Sequence, residues 1–468
     1  MSNITPGPLL KLILSKGILG ATDNLQDATR NEVVFYKLNE NEKTKKLFEE
    51  RLEKSQSCLV VINKKISSHY SNKEILVASE DEFLECQKIV CDQVYPLKKN
   101  LKLVAITGTN GKTTTTHLSV VLADKFHCKA LGIGTLGLTK ASGAIACEFS
   151  TTTPSYLQLR RILAKFQDEI DVIFMEVSSH ALEQERVYKI QFDCGVWTNF
   201  TQDHLDYHLT IEDYFKSKCL LITKHLKLNA PFFIPTDQSE LKRKIEETIM
   251  TKKEISLARK TPENWSLNRP IFFQNSYNMA NLELAFSLNF YLLNKSEDEF
   301  AKINLETLSA PEGRFYTITN KDQLIVIDYA HTPDAILNVA GSVAQNFSGR
   351  PLSILFGCGG NRDKSKRPKM AEAALLYSKK IYITSDNPRF EDPKEIINDV
   401  VAKKNPKQFI VEVDRKVAIL QALERMDSNE ILLILGKGHE KYQEINGTKT
   451  YFSDFDIVRD FFKSKGQL

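Results

Sequence analysis

Val104-Ala105-Ile106-Thr107-Gly108-Thr109-Asn110-Gly111-Lys112-Thr113-Thr114-Thr115-Thr116 reads as a buried apolar strand, a glycine loop and a helix start. Gly108 and Gly111 let the backbone close around an anion, and the helix N-terminus that follows adds fixed partial positive charge. Lys112 is placed to reach the outer phosphates of a nucleotide, and Thr113 to offer its hydroxyl to a bound Mg²⁺. The pattern G-x-x-x-x-G-K would put a glycine where Ile106 stands, so the loop is a shortened variant.

Working outward, apolar strands ending in polar residues recur at Val172-Ile173-Phe174-Met175-Glu176, Gly195–Thr198, Leu324–Asp328, Leu352–Gly357, Ile381–Thr384 and Ile431–Gly436. Strands alternating with helices predict an α/β protein with mostly parallel, doubly wound sheets, whose ligands sit beyond the strand C-termini. A length of 468 residues is ample for about three domains. We expect a small N-terminal α/β domain over 1–98, with a helix at 82–95. A central P-loop ATPase-like domain would follow over 99–310 and a Rossmann-like domain over 311–468.

Composition narrows the class. With 63 basic and 59 acidic groups the net charge is +4, too balanced for a nucleic-acid or anionic-membrane binder. The eight cysteines are scattered without a Cys-x-x-Cys pair, which suits reduced thiols in the cytoplasm. The apolar stretch Leu9–Leu14 lacks the flanks of a signal peptide, and no apolar run reaches the ~18 residues a membrane helix needs. The expectation is a cytoplasmic enzyme, a monomer, with neither nucleic acid nor membrane as partner.

Glu176 stands at the end of a buried strand, where this architecture also delivers the phosphate loop, and is a candidate metal ligand. Thr198-Asn199-Phe200-Thr201-Gln202-Asp203-His204-Leu205-Asp206-Tyr207-His208 is dense in carboxylates and imidazoles. Alone such a cluster is more often a polar loop or a set of caps; its place after a second parallel strand raises the reading as a site.

The loop variant resembles that of the Mur ligases and folylpolyglutamate synthetases, and further motifs look like the Mur ligases in order and spacing. These are Glu176-Val177-Ser178-Ser179-His180, the 198–208 cluster, Phe215-Lys216-Ser217-Lys218, Tyr277-Asn278-Met279-Ala280-Asn281, Pro311-Glu312-Gly313-Arg314 and Asp328-Tyr329-Ala330-His331-Thr332-Pro333-Asp334. The resemblance implies ATP held by Gly108, Thr109, Asn110, Gly111, Lys112, Thr113 and Thr114. Asn281 would lie on the adenine side, Arg314 would reach the phosphates, and Asp328 would hold the ribose. It implies two Mg²⁺ ions on Thr113, Glu176, His204 and Lys218, with Lys218 converted by CO₂ to a carbamate. Lys112, Glu176, His204, Lys218 and Arg314 are the catalytic residues so implied.

Three motifs of the last domain resemble the diaminopimelate-adding members of that family. They are Cys358-Gly359-Gly360-Asn361-Arg362-Asp363, Asp386-Asn387-Pro388-Arg389 and Gly436-Lys437-Gly438-His439-Glu440. Arg389 and Glu440 would then meet the distal carboxylate and ammonium of meso-diaminopimelate, and Arg362 a further carboxylate. The implied acceptor is a UDP-muramyl dipeptide held by Thr152, Thr153, Ser178, Gln184 and Arg186. The implied reaction is ATP-dependent amide ligation through an acyl phosphate, in peptidoglycan precursor synthesis and so in cell-wall biogenesis and division. L-lysine as the amino acid, an acceptor lacking UDP, and a non-catalytic nucleotide-binding protein stay open as alternatives. Thr22-Asp23-Asn24-Leu25 stands where the family shows Thr-Asp-Ser-Arg, and the expectation is an apolar Leu25 at the uridine end. Asn361 departs from the family's usual aspartate.

Overall fold

The computed structural model describes all residues except 1, 39–41, 67–72, 99, 144, 148, 150, 250–252, 268, 403 and 467–468. The boundary expected between 98 and 99 falls at Lys99, outside the described residues.

Three α/β layers follow one another along the chain. The first is a five-stranded, all-parallel sheet of β1 (Ser2–Asn3), β2 (Gly20–Thr22), β3 (Glu32–Tyr36), β4 (Leu59–Ile62) and β5 (Glu74–Val77), in the order β1-β5-β4-β3-β2. The helix expected at 82–95 runs from Glu80 to Val94; Ser79 Oγ accepts the Glu82 N–H, and three acidic residues fill the first turn.

The second sheet comprises β6 (Lys102–Thr107), β7 (Ala130–Gly134), β8 (Gly137–Thr139), β9 (Ile145–Cys147), β10 (Val172–Glu176), β11 (Cys194–Trp197), β12 (Phe232–Ile234) and β13 (Ile255–Leu257). Its order is β13-β12-β11-β6-β10-β7-β8-β9, with β6 in the middle and successive strands added on both sides. Ile106 pairs with Glu176 and Thr107 with Trp197, so β6, β10 and β11 end on one edge beneath the phosphate loop. That is the crevice where a doubly wound sheet binds its ligand.

β14 (Tyr316–Asn320), β15 (Gln323–Asp328), β16 (Leu352–Cys358), β17 (Lys380–Ser385), β18 (Phe409–Val411) and β19 (Ile431–Leu435) make the third sheet, in the order β14-β15-β19-β16-β17-β18. Only β14 runs antiparallel. β20 (Tyr442–Ile445) and β21 (Thr448–Tyr451) form a separate hairpin.

The cores are continuous across the layers. Leu118 and Leu122, on the helix Lys112–Asp124, share one apolar cluster with Leu282 and Phe286 of the helix Ser276–Leu293 and with Val326, Ile354 and Phe356 of the third sheet. Leu9, Val33, Ala105, Leu131 and Phe232 link the first and second sheets in another. Each such fully buried side chain contributes about 2 kcal/mol, so the phosphate loop rests on packed walls on both sides.

Candidate active site

Gly108 and Gly111 have φ of +145° and +83°. A Cβ at Gly108 would lie 1.9 Å from Thr198 Oγ1, and one at Gly111 2.4 Å from Asn281 Oδ1. Only glycine fits either place. Lys112 Nζ folds back over the loop, donating to the carbonyls of Gly108 and Thr109 at 2.8 Å each. Its burial lowers the ammonium pKa, against the pull of Glu176 and Asp203. Thr109 is tied through Oγ1 to the carbonyl of Thr201 at 3.1 Å and by its N–H to the carbonyl of Asn199 at 3.1 Å.

Thr113 Oγ1 donates to Glu176 Oε2 at 3.1 Å and accepts from Arg314 Nη2 at 3.2 Å. Glu176 also receives the Thr135 N–H at 3.0 Å and its hydroxyl at 3.2 Å. Burial raises its carboxyl pKa, and a cation brought beside it would favour the charged form. Arg314 stacks over the Tyr329 ring at 4.3 Å. Asp328, expected at the ribose, spends both oxygens on backbone: Phe315 N–H at 2.6 Å and Ala330 N–H at 2.8 Å. It therefore anchors the residue after Arg314.

Two adjoining cavities open between the second and third sheets. One, of about 250 Å³, is lined by Asn110, Gly111, Thr114, Asn281, Arg314 and Asp328 among others. The other, of about 230 Å³, brings together Thr109, Lys112, Thr113, Thr152, Glu176 and His204 with Arg362, Asp386, Asn387, Arg389, Gly436 and Glu440. Asn110, Gly111 and Arg314 line both. Residues expected at the nucleotide and residues expected at the amino acid thus meet at the phosphate loop.

The third domain's wall is internally braced. Asn387 donates to Glu440 Oε2 at 2.8 Å and accepts from Lys437 Nζ at 3.2 Å and the Glu444 N–H at 3.0 Å. Burial pushes the Asp386 carboxyl up, but the Lys437 and Arg415 cations bring it below its usual value. Arg389 donates from Nη1 to the Gly360 carbonyl at 2.8 Å, and its Nε lies 3.6 Å from Glu444. The Pro388 carbonyl accepts the Glu391 N–H at 3.0 Å, closing the turn. Asn361 holds φ of +52° and its Oδ1 accepts the Phe390 N–H at 3.1 Å, an acceptor role that an aspartate would also fill.

Other expected residues stand outside the two cavities. Lys218 is buried behind the loop, its Nζ donating to the Gly108 carbonyl at 3.0 Å. Burial and the Lys112 cation push its pKa well below the usual amine value. Thr153 Oγ1 donates to the Glu176 carbonyl at 2.9 Å, and Ser178 Oγ caps a short helix by accepting the Ala181 N–H. Arg186 donates to the Thr153 carbonyl at 3.0 Å and, from Nε, to Gln184 at 3.1 Å. Arg186 lines a third cavity, of about 470 Å³, with Asp23, Asn24, Asp27, Glu32 and Arg161. Leu25 corrects one expectation: it is 1% exposed, packed among Val34, Phe48 and Val60, and presents no apolar surface there.

Several partners were not singled out from sequence. Thr135 has no motif to mark it, and Lys366 is one lysine in a basic run. Lys437 lies inside a quoted motif and Asp203 inside the polar cluster; carboxylate density was a signal for the latter.

Among the described residues, no three His, Cys, Asp or Glu side chains converge as a metal site. The paired oxygens of Thr113 and Glu176 nonetheless suit Mg²⁺, which takes few protein ligands and completes its shell with phosphate and water. His204 Nε2 faces Asp203 Oδ2 at 3.5 Å, and Lys218 Nζ is turned to the Gly108 carbonyl. No helix among the described residues is long and apolar enough to cross a membrane.

A strand, glycine loop and helix at the centre of a mostly parallel sheet, roofed by a second mostly parallel sheet carrying cations and carboxylates, define a multidomain nucleotide-binding enzyme. Residues 106–291 match the Mur ligase middle domain, and 313–438 the Mur ligase glutamate ligase domain. A relative from Phocaeicola vulgatus, named UDP-N-acetylmuramoyl-L-alanyl-D-glutamate--2,6-diaminopimelate ligase, is 36% identical over 78% of this chain and 79% of its own. The solved structure of a protein of that same name is 26% identical, with a TM-score of 0.57 over 96% of each chain. The fold also matches the MurF ligase from Thermotoga maritima in complex with ADP, at 14% identity and a TM-score of 0.59, covering 89% of this chain and 94% of that one. The chain belongs to the Mur ligase family.

Proposed function

We propose that the chain joins meso-diaminopimelate to UDP-N-acetylmuramoyl-L-alanyl-D-glutamate in an ATP-dependent step of peptidoglycan synthesis. The observation that carries this reading is the pair of adjoining cavities sharing Asn110, Gly111 and Arg314. Adenosine is assigned to the first cavity, which Asn281 lines. The amino acid is assigned to the second, beneath Arg362, Arg389 and Glu440. The D-glutamate carboxylate would lie between, where Lys112 and Arg314 balance the charge of the transferring phosphoryl group.

ATP phosphorylates that carboxylate, the amino group of diaminopimelate attacks the acyl phosphate, and phosphate leaves. Thr113 and Glu176 would hold Mg²⁺, whose charge offsets that of the phosphates. Thr152 and the Ser178–Arg186 segment are assigned to the acceptor. Burial and the Lys112 cation lower the Lys218 pKa and so favour the neutral amine that CO₂ uptake needs, which supports its reading as a carbamate. A guanidinium and a carboxylate suit the distal zwitterion of diaminopimelate; L-lysine would leave Arg389 without its anion.

Phosphate release tests the reading. It should require ATP, Mg²⁺, the UDP-muramyl dipeptide and meso-diaminopimelate together. Equal turnover with L-lysine would sink the specificity, and turnover without any amino acid would sink the ligase.

A further inference from the structure

Side chains with no role in the chemistry above close the seam between the second and third sheets. Asp203, in the loop after β11, is 4% exposed. Across the seam Lys366 Nζ donates to its Oδ1 at 3.3 Å, and His331 Nε2 lies 3.9 Å from its Oδ2. That same Oδ1 accepts the His204 backbone N–H at 2.9 Å. His204 holds φ of +56°, a conformation non-glycine residues adopt rarely and only when their surroundings impose it.

The neighbouring residue repeats the pattern. Gln202 donates to Asp363 at 3.3 Å and Ser365 at 3.0 Å, and accepts from Lys369 at 2.8 Å. These partners surround the start of the helix Lys366–Leu375, directly downstream of Arg362. One segment of the third domain therefore carries an amino-acid-facing arginine and the cation that neutralises Asp203. Burial alone would push the Asp203 carboxyl up; Lys366, His204 and His331 hold it well below the usual range.

We propose that Lys366 is a positioning residue: by pairing with Asp203 across the seam it fixes His204 at the phosphate cavity, so phosphoryl transfer waits for the third domain. The inference rests on the ligase reading above and deepens it. With the domains apart, Asp203 loses the cation paired with it across the seam. The Asp203 carboxyl that accepts the His204 N–H is then free to turn, and His204 is no longer fixed at the cavity. Lys366 itself need touch no substrate.

The test uses the full chain with Lys366→Gln, Lys366→Arg, Asp203→Asn and the Asp203→Asn/Lys366→Gln pair. Lys366→Gln should lower kcat for phosphate release by about 100-fold while KM for ATP stays within about threefold, and Lys366→Arg should recover most of it. The pair should lose no more than about threefold beyond Asp203→Asn alone, because the two act as a unit. Small-angle scattering with ADP and diaminopimelate should show the wild type compact and Lys366→Gln expanded. Asp203→Asn keeps an acceptor for the His204 N–H and stands in should Lys366→Gln not fold; it should show the same kcat loss and expansion. Wild-type kcat in either single variant, or losses that multiply in the pair, would overturn the proposal. A wild-type chain that releases no phosphate fails the ligase reading instead, and the scattering comparison still decides the pairing.

Discussion

The molecule has two seams, and they are built differently. Between the second and third sheets, polar groups pair across the gap: Arg314 with Thr113, Asn110 with Asp334, Asp203 with Lys366. Around the cavity between the first and second sheets they pair mostly within their own loop. Asn24 Nδ2 donates to Asp27 at 2.5 Å, Thr29 to Glu32 at 2.9 Å, and Arg186 to Gln184. Arg161, 3.5 Å from Glu32, crosses beside that cavity, and other crossing pairs, Arg160 with Asp92 at 2.8 Å and Lys189 with Glu85 at 2.9 Å, involve residues that do not line it. Groups paired across a cavity can align reacting atoms; groups paired within one loop of its wall offer a surface and little constraint there. Nearly all catalytic sensitivity should therefore lie at the seam between the second and third sheets.

The strongest way to break that contrast is Lys218→Ala. It should lower turnover by about three orders of magnitude or more, as loss of a group acting in the transition state does. The phosphate-release assay, with a melting curve to show the fold intact, checks it; full activity would remove Lys218 from the site. Intact mass should also carry an extra CO₂ on the native chain.

Arg389→Ala comes next, with an expected loss of about 100-fold in kcat/KM for diaminopimelate, the scale of a charge-assisted pair. An unchanged value would move the amino-acid pocket away from the tight seam.

The wall of that pocket also titrates. Hydrogen bonding by Arg367 leads the causes that hold the Glu391 carboxyl down at about 2. A carboxyl lowered on folding stabilises the native state above its unfolded pKa near 4.3, and that stability is lost as pH falls towards 2. Glu391→Gln should cost about 2 kcal/mol at pH 7 and almost nothing at the acid end. Thermal unfolding across that range decides it; a pH-independent difference would refute the ionic origin.

The smallest effect belongs to the looser seam. Replacing the UDP-linked dipeptide by its muramic acid 1-phosphate counterpart should cost less than tenfold in kcat/KM, about 1.4 kcal/mol. A thousandfold loss would show that Thr22–Glu32 forms a demanding uridine pocket and would erase the contrast.

The same contrast governs what the chain revealed before its structure. The phosphate loop was legible because glycine, lysine and threonine must stand at set places for backbone and side chain to meet an anion, and the strands were legible as apolar runs ending in polar residues. Glu176 followed from architecture, since a parallel sheet delivers its strand ends to one edge. Lys366 and Thr135 were not legible, because they act through partners far away in sequence. Leu25 was misread for a related reason: a side chain's direction depends on the turn it ends, and there Thr22 Oγ1 and Asn24 Oδ1 accept neighbouring backbone N–H groups and send Leu25 inward.

One measurement bears most directly on the account. The enzyme is given ATP, Mg²⁺, the UDP-muramyl dipeptide and an equimolar mixture of meso-diaminopimelate and L-lysine, and the product is weighed by mass spectrometry. The account predicts a product carrying diaminopimelate almost alone, with the preference collapsing in Arg389→Ala. A product divided evenly between the two amino acids in the wild type would contradict it.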